Sequence, residues 1–415
     1  MKIASPPLSL AQKLEIQSRA AHGEHDPQIA DAMHLSLWTV RKWRRKLRGG
    51  RSALSVVRGR PPRGALSTFP AMLRETLQQW RQTHPGWGPD TLLARLRQAP
   101  VWREQPLPHR SQIARFLKER GWTRRYQRHS PLPQPSVRSV QHPHEEWEID
   151  AQAAQAVRHL GWVILLNVVD LYSRIKITCQ AVVTSHRQGK ATAADHQLAL
   201  RRSFMRCGLP ERLAVDHDSV YYDRSPSPFP TRLHLWLIAL GVDLVFGRFR
   251  QATDQATVER THQTMTQQGL CGEQFTHSGR LQPHLDATVD FVNTHLPCRT
   301  LGHQPPVVAC PEALRVQRLY RPEYEAEWLQ MQRVYAYLAQ GHWFRRVSAN
   351  GWICLGEQRY KVGKVWAKHQ VEITFDPASQ QLIVKAESGI EIQRLAPKGL
   401  TPEDLMGEAA QLMTL

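Results

Sequence analysis

The chain has no CxxC pair, no apolar run near the ~20 residues needed to cross a bilayer, and no GxxxxGK[ST] phosphate loop. The first absence, with six scattered cysteines (Cys179, Cys207, Cys271, Cys298, Cys310 and Cys354), argues against a structural zinc module or a disulfide framework and for reduced thiols in a cytosolic protein. The second excludes a helical membrane span. The third excludes ATP hydrolysis by a loop of that type. The start, MKIASPPLSL, lacks the apolar core of a secretory signal, so a cytoplasmic location is expected. Acidic residues are few: 36 against 55 Lys and Arg in 415 residues, a formal net charge of +19, which suggests association with the nucleoid. With 41% hydrophobic residues the chain is nevertheless globular rather than disordered.

The shortage of acids is local. Residues 1–129 carry 25 basic and 8 acidic residues, while the remainder carries 30 and 28. A basic third on a near-neutral body points to a polyanion partner, double-stranded DNA. Residues 1–50 read as a helix-turn-helix domain. Leu10–Ala21 has a helical apolar stripe, Asp26 and Pro27 start a second helix, and Ser36 caps a third that runs to about Leu47. Val40, Trp43 and Leu47 share one face of that third helix, leaving Thr39, Arg41, Lys42, Arg44, Arg45 and Arg48 for phosphates and base edges. Residues 51–64 form a basic linker whose Arg58-Gly59-Arg60-Pro61 resembles an AT-hook core, with Arg58 and Arg60 set for a narrow minor groove. A stiff Pro-rich spacer is the rival reading there. Residues 65–130 read as a second helical DNA-binding domain (72–82, 89–98 and 111–120) followed by a basic strip holding Arg124 and Arg125.

Residues 140–275 change character. Three strand-like runs, Glu146–Ala151, Trp162–Val169 and Ile175–Val182, precede a helix at 191–207, a strand at 212–215, a helix at 231–240, a strand at 242–246 and a helix at 254–268. The order β-β-β-α-β-α-β-α is that of the α/β ribonuclease H fold. Residues 276–340 read as a helical connector, 341–400 as short strands of a small β-barrel, and 401–415 as a tail.

Three acids carry the chemistry. Asp150 lies inside the first strand, Asp216 ends the fourth, and Glu259 lies on the last helix of the core. A carboxylate in an apolar strand is costly unless neutralised, and acids brought together repel until divalent cations relieve them. Mg2+ (or Mn2+) suits such an oxygen-ligand site, and two ions serve in-line phosphoryl transfer. Asp218 or Asp223 could stand in for Asp216, and Asp254 for Glu259. Asp170 reads as structural, pairing with Arg174. His142, His144, Glu145 and Glu146 read as a solvated loop.

In the segments Trp147-Glu148-Ile149-Asp150, Val169-Asp170-Leu171-Tyr172-Ser173-Arg174, Leu213-Ala214-Val215-Asp216 and Val258-Glu259-Arg260-Thr261-His262-Gln263-Thr264, the chain resembles the DDE transposases and retroviral-type integrases. Phe291-Val292-Asn293-Thr294 with Pro305-Pro306 is similar to the family's Asn-then-Pro segment after the core. The resemblance spans residues 10–310. It departs at His217-Asp218-Ser219, where Asn-Gly is usual, and in the 42 residues between Asp216 and Glu259, longer than the spacing that names the D,D-35-E group. The Ser- and Pro-rich insertion 223–230 accounts for the excess. The resemblance implies a bacterial insertion-sequence transposase in which Asp150, Asp216 and Glu259 bind two metal ions. It implies strand cleavage and strand transfer, that is, DNA integration and recombination. Its DNA would be the terminal inverted repeats of a mobile element and a target, and Arg260 and His262 would lie near DNA phosphate. The protein would act as a homo-oligomer, and some relatives also use a separate ATPase helper. A catalytically inactive, domesticated transposase acting as a DNA-binding regulator is the alternative, and a ribonuclease H-like nuclease without joining activity a third reading.

Overall fold

The computed structural model describes residues 8–48, 64–123, 139–248 and 255–407. Arg58, Arg60, Arg124, Arg125 and Asp254 lie outside the described residues. The chain divides into two compact units, Met1–Thr68 and Phe69–Leu415.

The first unit holds α1 (Leu10–Ala21), α2 (Asp26–Ala32) and α3 (Leu37–Leu47). Ser9 and Gln12 close a reciprocal capping box on α1, and Ser36 caps α3 by accepting the Thr39 N–H. The start of α2 sits one residue earlier than the sequence predicts: His25 is the cap, Asp26 opens the helix and Pro27 follows. The left-handed backbone of His34 makes the turn between α2 and α3. Ile16, Ile29, Ala30 and Val40 pack as the core, with Trp43 half-buried beside them.

The second unit opens with α4 (Ala71–Thr83), α5 (Pro89–Gln98) and α6 (Arg110–Glu119). These helices dock on residues 272–291. The Arg95 guanidinium lies 4.9 Å from the ring centre of Trp87 and 3.7 Å from that of Phe291, and His84 is 3.5 Å from Glu273. Gly272 has φ +90°, and a Cβ there would come within 2.1 Å of the Thr83 carbonyl oxygen. Only glycine allows so close an approach.

The main sheet contains β1 (Glu146–Ala151), β2 (Gln155–Val157), β3 (Gly161–Asp170), β4 (Lys176–Thr184), β5 (Arg212–Val215) and β6 (Asp243–Phe246). Strand β4 runs antiparallel along one edge of β3, so β1 and the short β2 share the other. Strands β5 and β6 then extend the sheet in parallel. The order is β4-β3-β1-β5-β6, with α7 (Ala193–Cys207), α8 (Arg232–Ala239) and α9 (Ala256–Met265) interposed in the chain order expected from the sequence. Residues Val163–Val169 of β3, apolar except for Asn167, are buried throughout, as a central strand covered on both faces requires.

Helix α10 (Leu281–His295) packs on β4, and Leu281, Leu285 and Val289 join Val163, Leu165, Cys179 and Met265 in one cluster. Asn293 on α10 accepts from the Lys176 N–H (2.9 Å) and donates to the Lys176 carbonyl (2.7 Å), so one side-chain amide completes the start of β4. The short helices α11 (Pro306–Ala309) and α12 (Glu325–Trp328) lead to α13 (Met331–Leu338).

The C-terminal strands are β7 (Trp343–Arg346), β8 (Trp352–Leu355), β9 (Gln358–Lys361), β10 (Gln370–Asp376), β11 (Gln381–Ala386) and β12 (Glu391–Leu395), followed by α14 (Pro402–Met406). The six short strands match the sequence reading, but a closed barrel does not emerge among the described residues. They pair as a four-stranded antiparallel sheet, β12-β11-β10-β7, and a separate hairpin, β8-β9. Their inward residues, such as Trp343, Ile353, Tyr360, Ile373 and Val384, belong to the same apolar cluster as Trp147, Leu200 and Trp236 of the main sheet and its helices. The module therefore shares a core with the α/β domain.

Candidate active site

Strand pairing sets two of the three candidate acids side by side. Glu148 of β1 is the parallel partner of Ala214 of β5. Two residues on, along each strand, stand Asp150 and Asp216, at the carboxyl ends of neighbouring parallel strands and on one face of the sheet. The edge beyond parallel strand ends is where α/β proteins place their ligands. Both carboxylates are partly exposed. Burial raises the Asp216 carboxyl above its ordinary value, and the negative charges of Asp150 and Asp218 push it the same way against the stabilising Asp218 N–H.

Helix α9 brings the rest. The Glu148 carboxylate, 2% exposed, accepts the Val258 N–H at 2.8 Å and so anchors the first turn of the helix, where negative charge is favoured. One turn later His262 lies between Asp150 and Asn167: Nε2 is 3.0 Å from Asp150 Oδ2, and Nδ1 is 2.8 Å from Asn167 Nδ2. His262 is buried, with its ring against the Asp150 carboxylate. Arg260 is exposed. Glu259 is also exposed, in the first turn of α9 and three residues before His262. Among the described residues no three His, Cys, Asp or Glu side chains gather closely enough to hold an ion. The structure thus brings Asp150 and Asp216 together and leaves Glu259 nearby on the helix that contacts Asp150.

The acids considered as substitutes are occupied elsewhere. Asp218 accepts from Val220 N–H and Ser219 Oγ within its own turn. Burial raises the Asp223 carboxyl, but the Phe229 N–H, Ser225 and Arg345 outweigh it and hold it below its ordinary value. Asp223 folds the insertion 223–230 and ties it to β7 through Arg345, 3.4 Å away. Asp170 is structural, as expected, but its partners are the His144 N–H and the Ser173 N–H and hydroxyl, while Arg174 donates to Thr257 Oγ1 at 2.6 Å. The expected solvated loop at 142–146 is a correction. His144, Glu145 and Glu146 are buried: His144 bridges the Trp147 indole and the Ala313 carbonyl, and both glutamates pair with Arg212.

In the first unit, Arg41, Lys42, Arg45 and Arg48 stand exposed on and just beyond α3. Arg44 pairs with Asp26 of α2, Thr39 shares the cap with Ser36, and the Lys42 ammonium rests 4.6 Å from the Trp38 ring centre.

Behind the aspartates sit His196 and Tyr221, whose Nδ1 and hydroxyl are 2.8 Å apart. Burial pushes His196 down to about 4, and the same cause pushes His234 of α8 down to about 4. In the unfolded chain both titrate near 6.5. Between about pH 6.5 and 4 the unfolded state binds protons that the folded state refuses, so their contribution is full above that window and lost on acidification. Each is expected to cost about 2 kcal/mol by pH 5. The raised carboxyl of Asp216 opposes them, one group against two. Urea unfolding at pH 7 and pH 5 measures the loss, and the His196→Asn/His234→Asn double variant should flatten it. An undiminished slope in that variant would assign the protons to other groups.

No family model and no curated protein matches this sequence. Solved structures similar to it include the BIV integrase catalytic core domain, at 17% identity over 41% of this chain and 95% of that one, with a TM-score of 0.29. The HTLV-2 integrase catalytic core domain in complex with magnesium, trimeric form, is 11% identical over 42% and 99%, with a TM-score of 0.30. The simian T-cell lymphotropic virus intasome in complex with PP2A regulatory subunit B56 gamma is 16% identical over 59% and 76%, with a TM-score of 0.33.

Proposed function

We propose that this protein is a DDE-type DNA transposase, binding the terminal inverted repeats of a mobile element and catalysing strand cleavage and strand transfer. The observation that carries the reading is the pair Asp150 and Asp216, adjacent at the ends of parallel strands, with the Asp216 carboxyl raised partly by its neighbour's charge. Two acids so arranged fit a divalent cation, which removes their repulsion. Asp150 and Asp216 would hold Mg2+ (or Mn2+), with Glu259 completing the set, and two ions there supply activation of the attacking oxygen and stabilisation of the leaving one.

The protein's own residues do the positioning. His262, braced by Asn167, fixes the Asp150 carboxylate, and the Asp218 N–H fixes that of Asp216. Glu148 holds α9, and with it Glu259 and Arg260, against β1. Arg41, Lys42, Arg45 and Arg48 of the first unit bind element-end duplex. Water cuts one strand at each end, and the freed 3′-hydroxyl attacks a target phosphodiester in line. Both ends are bridged by a homo-oligomer, and a requirement for an ATPase helper is a variable of the same assay.

The test uses DNA carrying the sequences that flank the gene. Nicked and joined products are expected with Mg2+ or Mn2+ and none in EDTA. Sequence-specific binding with no product in either metal would leave only the regulator reading.

A further inference from the structure

Against Tyr221, Tyr222 and Asp223, in the segment that follows Asp216, lies a cavity of about 390 Å³, in the size range of small-ligand sites, roughly 300–1,000 Å³. It opens between the insertion, α8, the end of β6, and the α13–β7 turn, elements that only the shared core brings together. Its wall is a chain of rings. Phe246 is 5.7 Å from Tyr222 and 5.9 Å from His234, and His234 is 5.2 Å from Tyr337. The wall continues to the active site through His217, the residue after Asp216, whose ring packs against both Tyr222 and Phe246.

The polar groups of the lining indicate what would fit. His234 is 8% exposed, lines the cavity, and has no hydrogen-bond partner for its ring among the described residues. Burial keeps it neutral at physiological pH, so its ring offers one donor and one acceptor and no charge. Asp223 also lines the cavity, but its oxygens already serve Ser225, Phe229 and Arg345. In a protein of net charge +19, this is an aromatic site whose lining carboxylate, Asp223, is already paired with Arg345. It suits a flat heteroaromatic group with hydrogen-bonding edges and does not suit a phosphate. Stacking on aromatic side chains is how proteins hold single bases of any sequence.

We propose that this cavity receives a nucleobase unstacked from the DNA, beside the phosphodiester presented to Asp150 and Asp216. The inference rests on the transposase reading, and it adds a second contact for the same strand. Tyr337 and Tyr222 supply stacking faces, and His234 bonds the base edge. A base held there draws its sugar–phosphate out of the duplex, which favours DNA that is mismatched, frayed or single-stranded near the cut.

The test uses the full chain in EDTA, so that no chemistry intervenes. A single-stranded oligonucleotide carrying 2-aminopurine, and a duplex carrying it in an unpaired 3′ overhang, should lose fluorescence on binding, whereas fully paired duplex should change much less. Tyr337→Leu, at a part-exposed position on α13, should weaken the overhang complex by about tenfold and remove most of the quench. With 4-thiothymidine at the same position, photocrosslinks should map to Tyr222 or Tyr337. Quenching unaffected by Tyr337→Leu, or crosslinks confined to other segments, would overturn the proposal. Cleavage absent in the parent but quenching intact would remove the proposed chemistry and support the cavity. Cleavage intact without quenching would remove the cavity alone.

Discussion

Asp150→Asn should slow strand cleavage by about three orders of magnitude, equivalent to about 4 kcal/mol of transition-state stabilisation, with element-end binding unchanged. The substitution keeps the shape of the side chain. The amide oxygen still accepts from His262 Nε2, and the contact that α9 makes with β1 through Glu148 is untouched. What disappears is one negative charge beside Asp216. That gives two readouts independent of turnover. The Asp216 carboxyl is raised partly by Asp150, so the variant should be as stable as the parent at neutral pH, or more so by up to about 1 kcal/mol, as expected when like charges are relieved. The parent should also gain thermal stability with millimolar Mg2+ by mass action, and the variant should gain much less. Joining at the parental rate by Asp150→Asn would remove Asp150 from the chemistry. A loss of stability would show that its charge serves the fold instead.

The same pair of residues shows how far local sequence reaches. Asp150 and Asp216 are legible because each interrupts an apolar strand, a conflict that function explains more readily than packing. Their neighbours are less so. Glu148 shares a face with Asp150 by strand alternation, yet nothing local says that it accepts a helix N–H 110 residues away. His262 follows the buried Val258 by four positions and precedes the buried Met265 by three, so helical periodicity alone turns it inward.

Long-range pairing accounts for the other differences. The insertion 223–230 reads as a loop from its Ser and Pro content, and it has no helix or strand. Its structural role depends on Asp223 meeting Arg345, and on the Phe229 ring packing 4.8 Å from that of Trp343, more than 100 residues on. The C-terminal strands are individually visible through alternation and turn residues, but which edges pair is set by contacts between distant residues. At Glu145 and Glu146, composition suggests solvent, and Arg212 on β5 makes burial tolerable.

The largest effect on stability is expected at Arg201 of α7. This guanidinium is fully buried and grips Glu325, the first residue of α12, with two bonds of 2.7 Å. The Trp236 indole N–H of α8 and the Tyr320 hydroxyl donate to the same carboxylate, and Arg201 also donates to the Met406 carbonyl of α14 at 2.8 Å. Four helices of the shared core meet at one ion pair. Arg201→Leu leaves the Glu325 charge buried with neutral donors only and should cost about 3–5 kcal/mol, read as a lower urea midpoint and as early proteolysis of the α12–α14 segment. The Arg201→Leu/Glu325→Leu double variant removes both charges. It still orphans the Trp236 and Tyr320 donors, at about 1–3 kcal/mol each, but leaves no buried charge. It should therefore be less harmful than the sum of the two single losses. Equal losses in the single and double variants would mean that packing volume, and not the paired charge, holds these helices together.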